Sequence, residues 1–210
     1  MPIRGKLISE ISPADIYELM LQATPEDQFL EFKAELLDPR KPAERLDADR
    51  ADWVSDLVAF ANAQGGHIIV GLQADDQERA SRLRPMTGDD AKKLAGTLRD
   101  VAIAHIKPNI IQLEVRSYEI TSAEWIVIAG IPRSSDKPHM SSMHHGTRFT
   151  VRDGDRKREM AYDEIQRLYL DGPQQQLQKQ LASQIEEIKS QVESIHARLA
   201  GLEQELRKAG

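Results

Sequence analysis

Cysteine is absent from this chain, which removes disulfides and thiolate metal sites and agrees with a reducing, cytoplasmic home. No apolar run reaches membrane-spanning length, and Met1 to Gly5 lack the apolar stretch of a secretory leader. The sequence therefore predicts a protein that is neither exported nor membrane-bound. A positive charge balance is missing too. The net charge is -6 at pH 7, so the molecule as a whole repels nucleic acid, and contact with phosphates needs a local basic patch. Nothing matches the phosphate-binding loop pattern G-x-x-x-x-G-K-S/T, because Gly65-Gly66 follows a helix instead of opening one, and no G-x-S-x-G elbow occurs. P-loop nucleotide hydrolysis and serine hydrolase chemistry have no motif behind them.

What is present begins with a seam at the C-terminal end. Leu181, Ile185, Ile188, Val192, Ile195, Leu199, Leu202 and Leu206 recur at four-three spacing, the heptad pattern of a coiled coil with polar flanks. A stripe that narrow cannot bury itself alone, so residues 181–206 predict a homo-oligomer, with dimer and trimer both open because isoleucine occupies both core positions. Apart from the heptads no repeat is visible.

The 210 residues leave room for one globular domain ahead of that tail. Ser12-Pro13 opens a short helix. Phe29 to Leu36 alternates as a strand with Leu30 and Phe32 on one face and Glu31 and Lys33 on a polar one, and Asp38 to Asp47 is expected as a loop. A helix over about Asp49 to Ala63 packs Trp53, Leu57, Val58 and Phe60 inward, and His67 to Leu72 is a buried strand. A helix over Asp89 to His105, strands Ile110–Ile120 and Trp125–Ile131, a loop Pro132 to Gly146, a strand Arg148–Arg152 and a helix Tyr162 to Leu170 complete the order. That order predicts an α+β domain over residues 1–172, a mixed sheet flanked by helices, followed by a long C-terminal coiled-coil helix over 173–210.

Three constellations bear on chemistry. Glu26, Glu31 and Lys33, with Asp75 or Asp76 beyond the buried strand, form the first. Converging carboxylates hold Mg2+ or Mn2+, and such an ion activates water and stabilises charge on a phosphodiester. Glu26 and Glu31 are an odd number of residues apart, so convergence needs a bend between Pro25 and Gln28; solvated strand and turn charges are the alternative. The second is basic: Arg148, Arg152, Arg156, Lys157 and Arg158, with Arg133 and Lys137. These suit a phosphate-contacting surface or a solvated hairpin rim neutralised by Asp153, Asp155 and Glu159. The third is His139, His144 and His145, a loop cluster without cysteine that is expected to face solvent.

Several segments together resemble one family. Leu30-Glu31-Phe32-Lys33, then Val58-Ala59-Phe60-Ala61-Asn62-Ala63-Gln64-Gly65-Gly66, then Ile68-Ile69-Val70-Gly71-Leu72 stand in the order and spacing of the Schlafen AlbA-type domain. Ile106-Lys107-Pro108, Lys137-Pro138-His139 and Gly146 to Gly154 extend the resemblance over about Glu26 to Leu170. It implies a metal-dependent ribonuclease acting on tRNA or other structured RNA, with Glu26, Glu31 and Asp75 as metal ligands and Lys33 at the scissile phosphate. Other members of the family are DNA- or nucleotide-binding modules, so the alternative is a non-catalytic DNA- or RNA-binding module that oligomerises or recruits a partner protein through its coiled coil. A scaffold working through the coiled coil alone is the third reading. The acid after Gly71 comes late for the family, at Asp75, with Asp76 as substitute. The animal nucleases of the family clamp RNA between two tandem domains, which an oligomer of this single copy would rebuild. A toxin-like or anti-phage role fits a small standalone member.

Overall fold

In the computed structural model, which describes residues 3–143, 146–170 and 181–194, the alternation of Leu30 to Lys33 becomes β1 (Leu30–Lys33). It lies parallel to β2 (Gly66–Val70). Parallel neighbours need a long crossover, supplied here by α2 (Ala43–Asn62). β6 (Glu114–Thr121) and β7 (Glu124–Ile131) add antiparallel, giving a mixed four-stranded sheet in the order β1-β2-β7-β6.

Period-two alternation sorts the sheet's side chains into two cores. Ile68, Val70, Val127 and Ala129 face α2 and α3 (Gly88–His105), joining Trp53, Leu57, Phe60 and Leu98. Leu30, Phe32, Ile69, Ile126 and Ile128 face the other way, against Ile16 and Leu19 of α1 (Pro13–Leu21) and the N-terminal Ile3, Ile8 and Ile11. Glu31 and Lys33 alternate with Leu30 and Phe32 and so lie on the α2 side of β1. That single fact positions the candidate site.

Local signals explain the ends of several elements. Ser12 and Asp15 form a reciprocal cap, Asp15 N–H donating to Ser12 Oγ at 3.3 Å and Ser12 N–H to Asp15 Oδ2 at 2.8 Å, with Pro13 as first helical residue. Beyond the end of α2 the chain turns at Gly65, whose φ is +75° and where a Cβ would stand 2.5 Å from Ile131 O. Only glycine allows both the left-handed turn and that approach.

The structure differs from expectation in four places. Residues 43–47 are the first turns of α2, started behind Pro42, and not loop. The apolar run breaks at Gly71, and Leu72–Ala74 (β3) turns back on Ala80–Leu83 (β4) in an unforeseen hairpin. Within the expected loop, Met140–Met143 is a strand (β8), pairing with β5 (Ile106–Lys107) and β9 (Gly146–Arg148). The expected strand Arg148–Arg152 is divided because β9 pairs with β8, whereas β10 (Thr150–Asp153) pairs with β11 (Arg156–Glu159).

Helices over 162–170 and 181–194 follow. The chain separates into one compact unit up to Ile165 and a second from Gln166 on. In the helix over 181–194, Leu181, Ile185, Ile188 and Val192 are 44–58% exposed. Ile195, Leu199, Leu202, Leu206 and the expected boundary at 172/173 lie outside the described residues. No helix among the described residues is long and apolar enough to cross a membrane.

Candidate functional site: an ion-pair network between β1, α2 and the β10–β11 hairpin

The bend that Glu26 requires is present. Asp27 and Leu30 close a tight turn, and Glu26 returns beside β1, its Oε1 accepting the Phe32 N–H at 2.9 Å. Burial, reinforced by the charge of Glu31, raises its carboxyl from the ordinary 4.5 to about 7. Glu26 and Glu31 are therefore electrostatically coupled neighbours.

Asp75 has a different occupation. Its carboxylate accepts from Arg79 Nε and Nη2 at 2.9 and 2.8 Å and from the N–H groups of Gln77 and Arg79 at 2.9 and 3.0 Å. These bonds, the Arg79 side chain first, hold its carboxyl below the usual range. It shapes the β3–β4 turn, and Asp76 is exposed beside it.

Glu31 meets cations. Arg152 Nη1 donates to its Oε2 at 2.6 Å and Lys33 Nζ to its Oε1 at 3.1 Å. Lys33 also bonds Asp52 Oδ2 at 2.7 Å and stands 2.8 Å from Asp56 Oδ2, a contact whose angle falls outside hydrogen bonding. Lys157 reaches the same two acids, with Asp56 Oδ1 at 2.7 Å and a very short contact to Asp52 Oδ1. Three acids (Glu31, Asp52, Asp56) and three cations (Lys33, Arg152, Lys157) thus balance at one locus. Burial works against the charge on Lys33, but Asp56, Asp52 and Glu31 outweigh it and hold the ammonium well above its usual range. Asp56 and Asp52 shift in opposite directions. The Asp56 side chain is 1% exposed and burial raises its carboxyl, whereas Asp52, 44% exposed, keeps less of that burial penalty than Lys33 and Lys157 offset and is lowered.

Asp52 and Asp56 were not foreseen as members. Their signal was spacing: i,i+4 on one helix face, with Asp56 set between Val54 and Leu57 in a buried run. Arg152, expected on a nucleic-acid surface, is interior. Its guanidinium stacks 4.6 Å from the Phe60 centroid, Nη2 donates to Asp27 O at 2.7 Å, and Nε is buried without a partner. Arg158 is spent on Glu164, at 2.7 Å for each of two bonds, and on Asp153. Arg148 pairs with Glu159 at 3.2 Å in an exposed bridge. Arg156 is exposed with no ion pair among the described residues. Lys137 is half-buried, and burial, then Arg133, lowers its ammonium.

His139 reverses the solvent-facing expectation: it is fully buried, with Nδ1 2.7 Å from Pro108 O and Nε2 2.6 Å from Ser134 Oγ. Its backbone is held by Asn62, which accepts from His139 N–H at 2.7 Å and donates to the carbonyls of His139 and Thr150, both at 2.9 Å. His144 and His145 lie outside the described residues.

The carboxylates as arranged do not fit a divalent ion. No three Asp, Glu or His side chains among the described residues gather in a metal-holding group. Both Glu31 oxygens hold cations, and Asp75 is committed to Arg79.

The coupled Glu26 has a measurable consequence. Between pH 4.5 and about 7 the folded chain keeps a proton on Glu26 that the unfolded chain has lost. Its contribution to stability is therefore full at low pH and is lost as pH rises through that window. After allowing for solvent screening, the loss is about 1–2 kcal/mol. Glu26→Gln keeps an acceptor for Phe32 N–H and is expected to be more stable than wild type by that amount at pH 8, converging below pH 4.5. His67 and His139, lowered first by burial, impose the opposite slope below 6.5, but they are common to both proteins and cancel. Urea midpoints against pH test this; parallel curves would refute the coupling.

An α+β domain whose glutamate-bearing edge strand is braced by a crossover helix and a basic hairpin is the class this architecture defines. The model of the family Schlafen, AlbA_2 matches residues 26–161, and the chain belongs to that family. Among solved structures the chain is similar to the DIP2311 protein of Corynebacterium diphtheriae (16% identity, TM-score 0.43), covering 70% of this chain and 30% of that one. It is also similar to the N-terminal domain of an ATP-dependent DNA helicase RecG-related protein of Nitrosomonas europaea (13% identity, TM-score 0.42), covering 64% and 82%. None of the curated proteins compared with it matches.

Proposed function

We propose that this chain is a nucleic-acid-binding module of the Schlafen AlbA type, binding without cutting. The observation that carries this reading is the balanced network: the glutamate expected to hold a metal neutralises Arg152 and Lys33 instead. Those bonds, with Lys157 on Asp52 and Asp56, fasten the β10–β11 hairpin to β1 and α2. A fastened hairpin presents Arg156, joined by Arg148 of β9 through its weak exposed bridge to Glu159, as a fixed basic edge on an acidic molecule. Self-association through the seam at 181–206, bringing a second copy's edge to the same strand, belongs to this proposal.

Labelled tRNA and single-stranded DNA, each with Mn2+ or with EDTA, test it. Retention is expected to fall steeply with salt and no cleavage to occur in either condition. Arg156→Ala is expected to weaken binding about three- to tenfold and to reduce the salt slope by about one ion. Light scattering on the same samples gives the copy number, and a monomer would refute self-association. Cleavage requiring Mn2+ would overturn the non-catalytic reading.

One observation favours a second reading, cleavage of tRNA or structured RNA. A carboxyl raised to about 7 beside another glutamate suits taking and returning a proton at neutral pH. Under that reading Glu26→Gln abolishes cleavage while the fold persists.

A further inference from the structure

Immediately beyond Lys33 the chain enters a different feature. The loop after β1, the β3–β4 hairpin and the first turns of α3 enclose a cleft of about 1030 Å³. That is at the upper end of the range of small-ligand sites. One wall is apolar, with Leu36 in the buried core and Met86 and Leu94 packed against it. The other side is cationic. Gln73 stands opposite Arg82 in the hairpin register, and Arg84, two residues on, falls on the same face. Arg84 Nε donates to Gln73 Oε1 at 2.9 Å, which steadies the guanidinium and leaves its Nη groups for other acceptors. Lys93 lines the cleft from α3.

Charge bookkeeping inside the cleft is uneven. Asp38 is closed on Arg40 by paired bonds, Glu35 lies 3.4 Å from Lys41, and Asp90 accepts the Thr87 hydroxyl at 2.7 Å at the helix start. Arg82, Arg84 and Lys93 have no ion-pair partner among the described residues. Three cations without an ion-pair partner stand there against one such acid, Asp90, and beside an apolar wall, in a chain of net charge -6; that surplus complements an anion that carries an apolar body. Two arginines sharing one strand face repel until an anion bridges them, and guanidinium forks suit phosphate oxygens.

We propose that this cleft binds a nucleoside phosphate, its base against Leu36, Met86 and Leu94 and its phosphates on Arg82, Arg84 and Lys93. The ligand is either a free nucleotide or the terminal nucleotide of a strand. The site shares no residue with the β10–β11 edge and stands independently of it.

Calorimetric titration of the full chain with ATP, and separately with a 5′-phosphorylated oligodeoxyadenylate, both in EDTA, tests the proposal. Arg82→Ala/Arg84→Ala is expected to weaken binding at least about tenfold, roughly the loss of one charge-assisted pair. Arg156→Ala is expected to leave ATP binding unchanged. Lys93→Glu, on an exposed helix surface, gives the same loss should the double variant fail to fold by circular dichroism. Binding that the cleft variants lose identifies a free nucleotide where it is seen with ATP alone, and a strand end where it is seen with the oligonucleotide alone. Failure of both probes at about 1 mM, or wild-type binding by folded variants, overturns the proposal. Retention of tRNA that is lost in Arg156→Ala but kept in the cleft variants leaves the binding module standing without this site.

Discussion

Glu31→Gln is expected to cost about 3–5 kcal/mol of folding stability, because it breaks a buried pair from one side. Arg152, whose side chain is 2% exposed, would keep its charge, lose its 2.6 Å partner, and still carry an Nε with no acceptor. Lys33 would lose one of the three acids that hold its proton. Urea unfolding at pH 7 measures the loss. Neutralising both ends in Glu31→Gln/Arg152→Met is expected to recover part of it, since paired removal of buried charges is far cheaper than single removal. A single variant as stable as wild type would show that the network is not what fastens the hairpin. The consequence for function is direct: lost activity in Glu31→Gln reports chemistry only where the variant is shown to be folded.

Asn62→Ala is the second large effect, also expected at about 3–5 kcal/mol. Three buried backbone groups, His139 N–H and the carbonyls of His139 and Thr150, lose their partner, and each buried polar group left unmet costs about 1–3 kcal/mol. The damage should be regional. β8 and β10 adjoin these bonds, so amide hydrogen exchange is expected to accelerate over residues 138–159 while the four-stranded sheet keeps its protection. Unchanged protection at His139 would refute the assignment. This asparagine also explains part of the motif that carries the family resemblance: in F-A-N-x-x-G-G, Phe60 underlies Arg152, Asn62 clamps two strands, and the glycines allow the close return to the sheet. These roles hold the fold together and are consistent with binding as well as with cleavage.

Signals that act over a few residues were legible without tertiary structure. Ser12-Pro13 starts α1, the apolar face of α2 falls where its spacing puts it, α3 covers the helix expected over Asp89 to His105, and the E-F-K and F-A-N-x-x-G-G segments carried the family. The β3–β4 hairpin was not legible, because Gly71 reads as part of an apolar run until its φ of +103° turns the strand. His139 looked solvent-facing because its partners, Pro108 and Ser134, are brought to it by a packing that nothing in its own neighbourhood predicts.

The sequence by itself determined the α+β class, the order of its principal helices and strands, and the family. Those follow from local propensity and period. Only the tertiary structure decided what the charges do. Alternation put Glu31 and Lys33 on one face of β1, but whether that face meets water, a metal or other side chains depends on α2, about twenty residues away, and on a hairpin more than a hundred residues on. Electrostatic energy is set by distance in space and by burial. The placement of Asp52, Asp56, Arg152 and Lys157 around Glu31 and Lys33 made a balanced ionic clasp of that face, and left Arg82, Arg84 and Lys93 as cations without an ion-pair partner among the described residues in the cleft beside it.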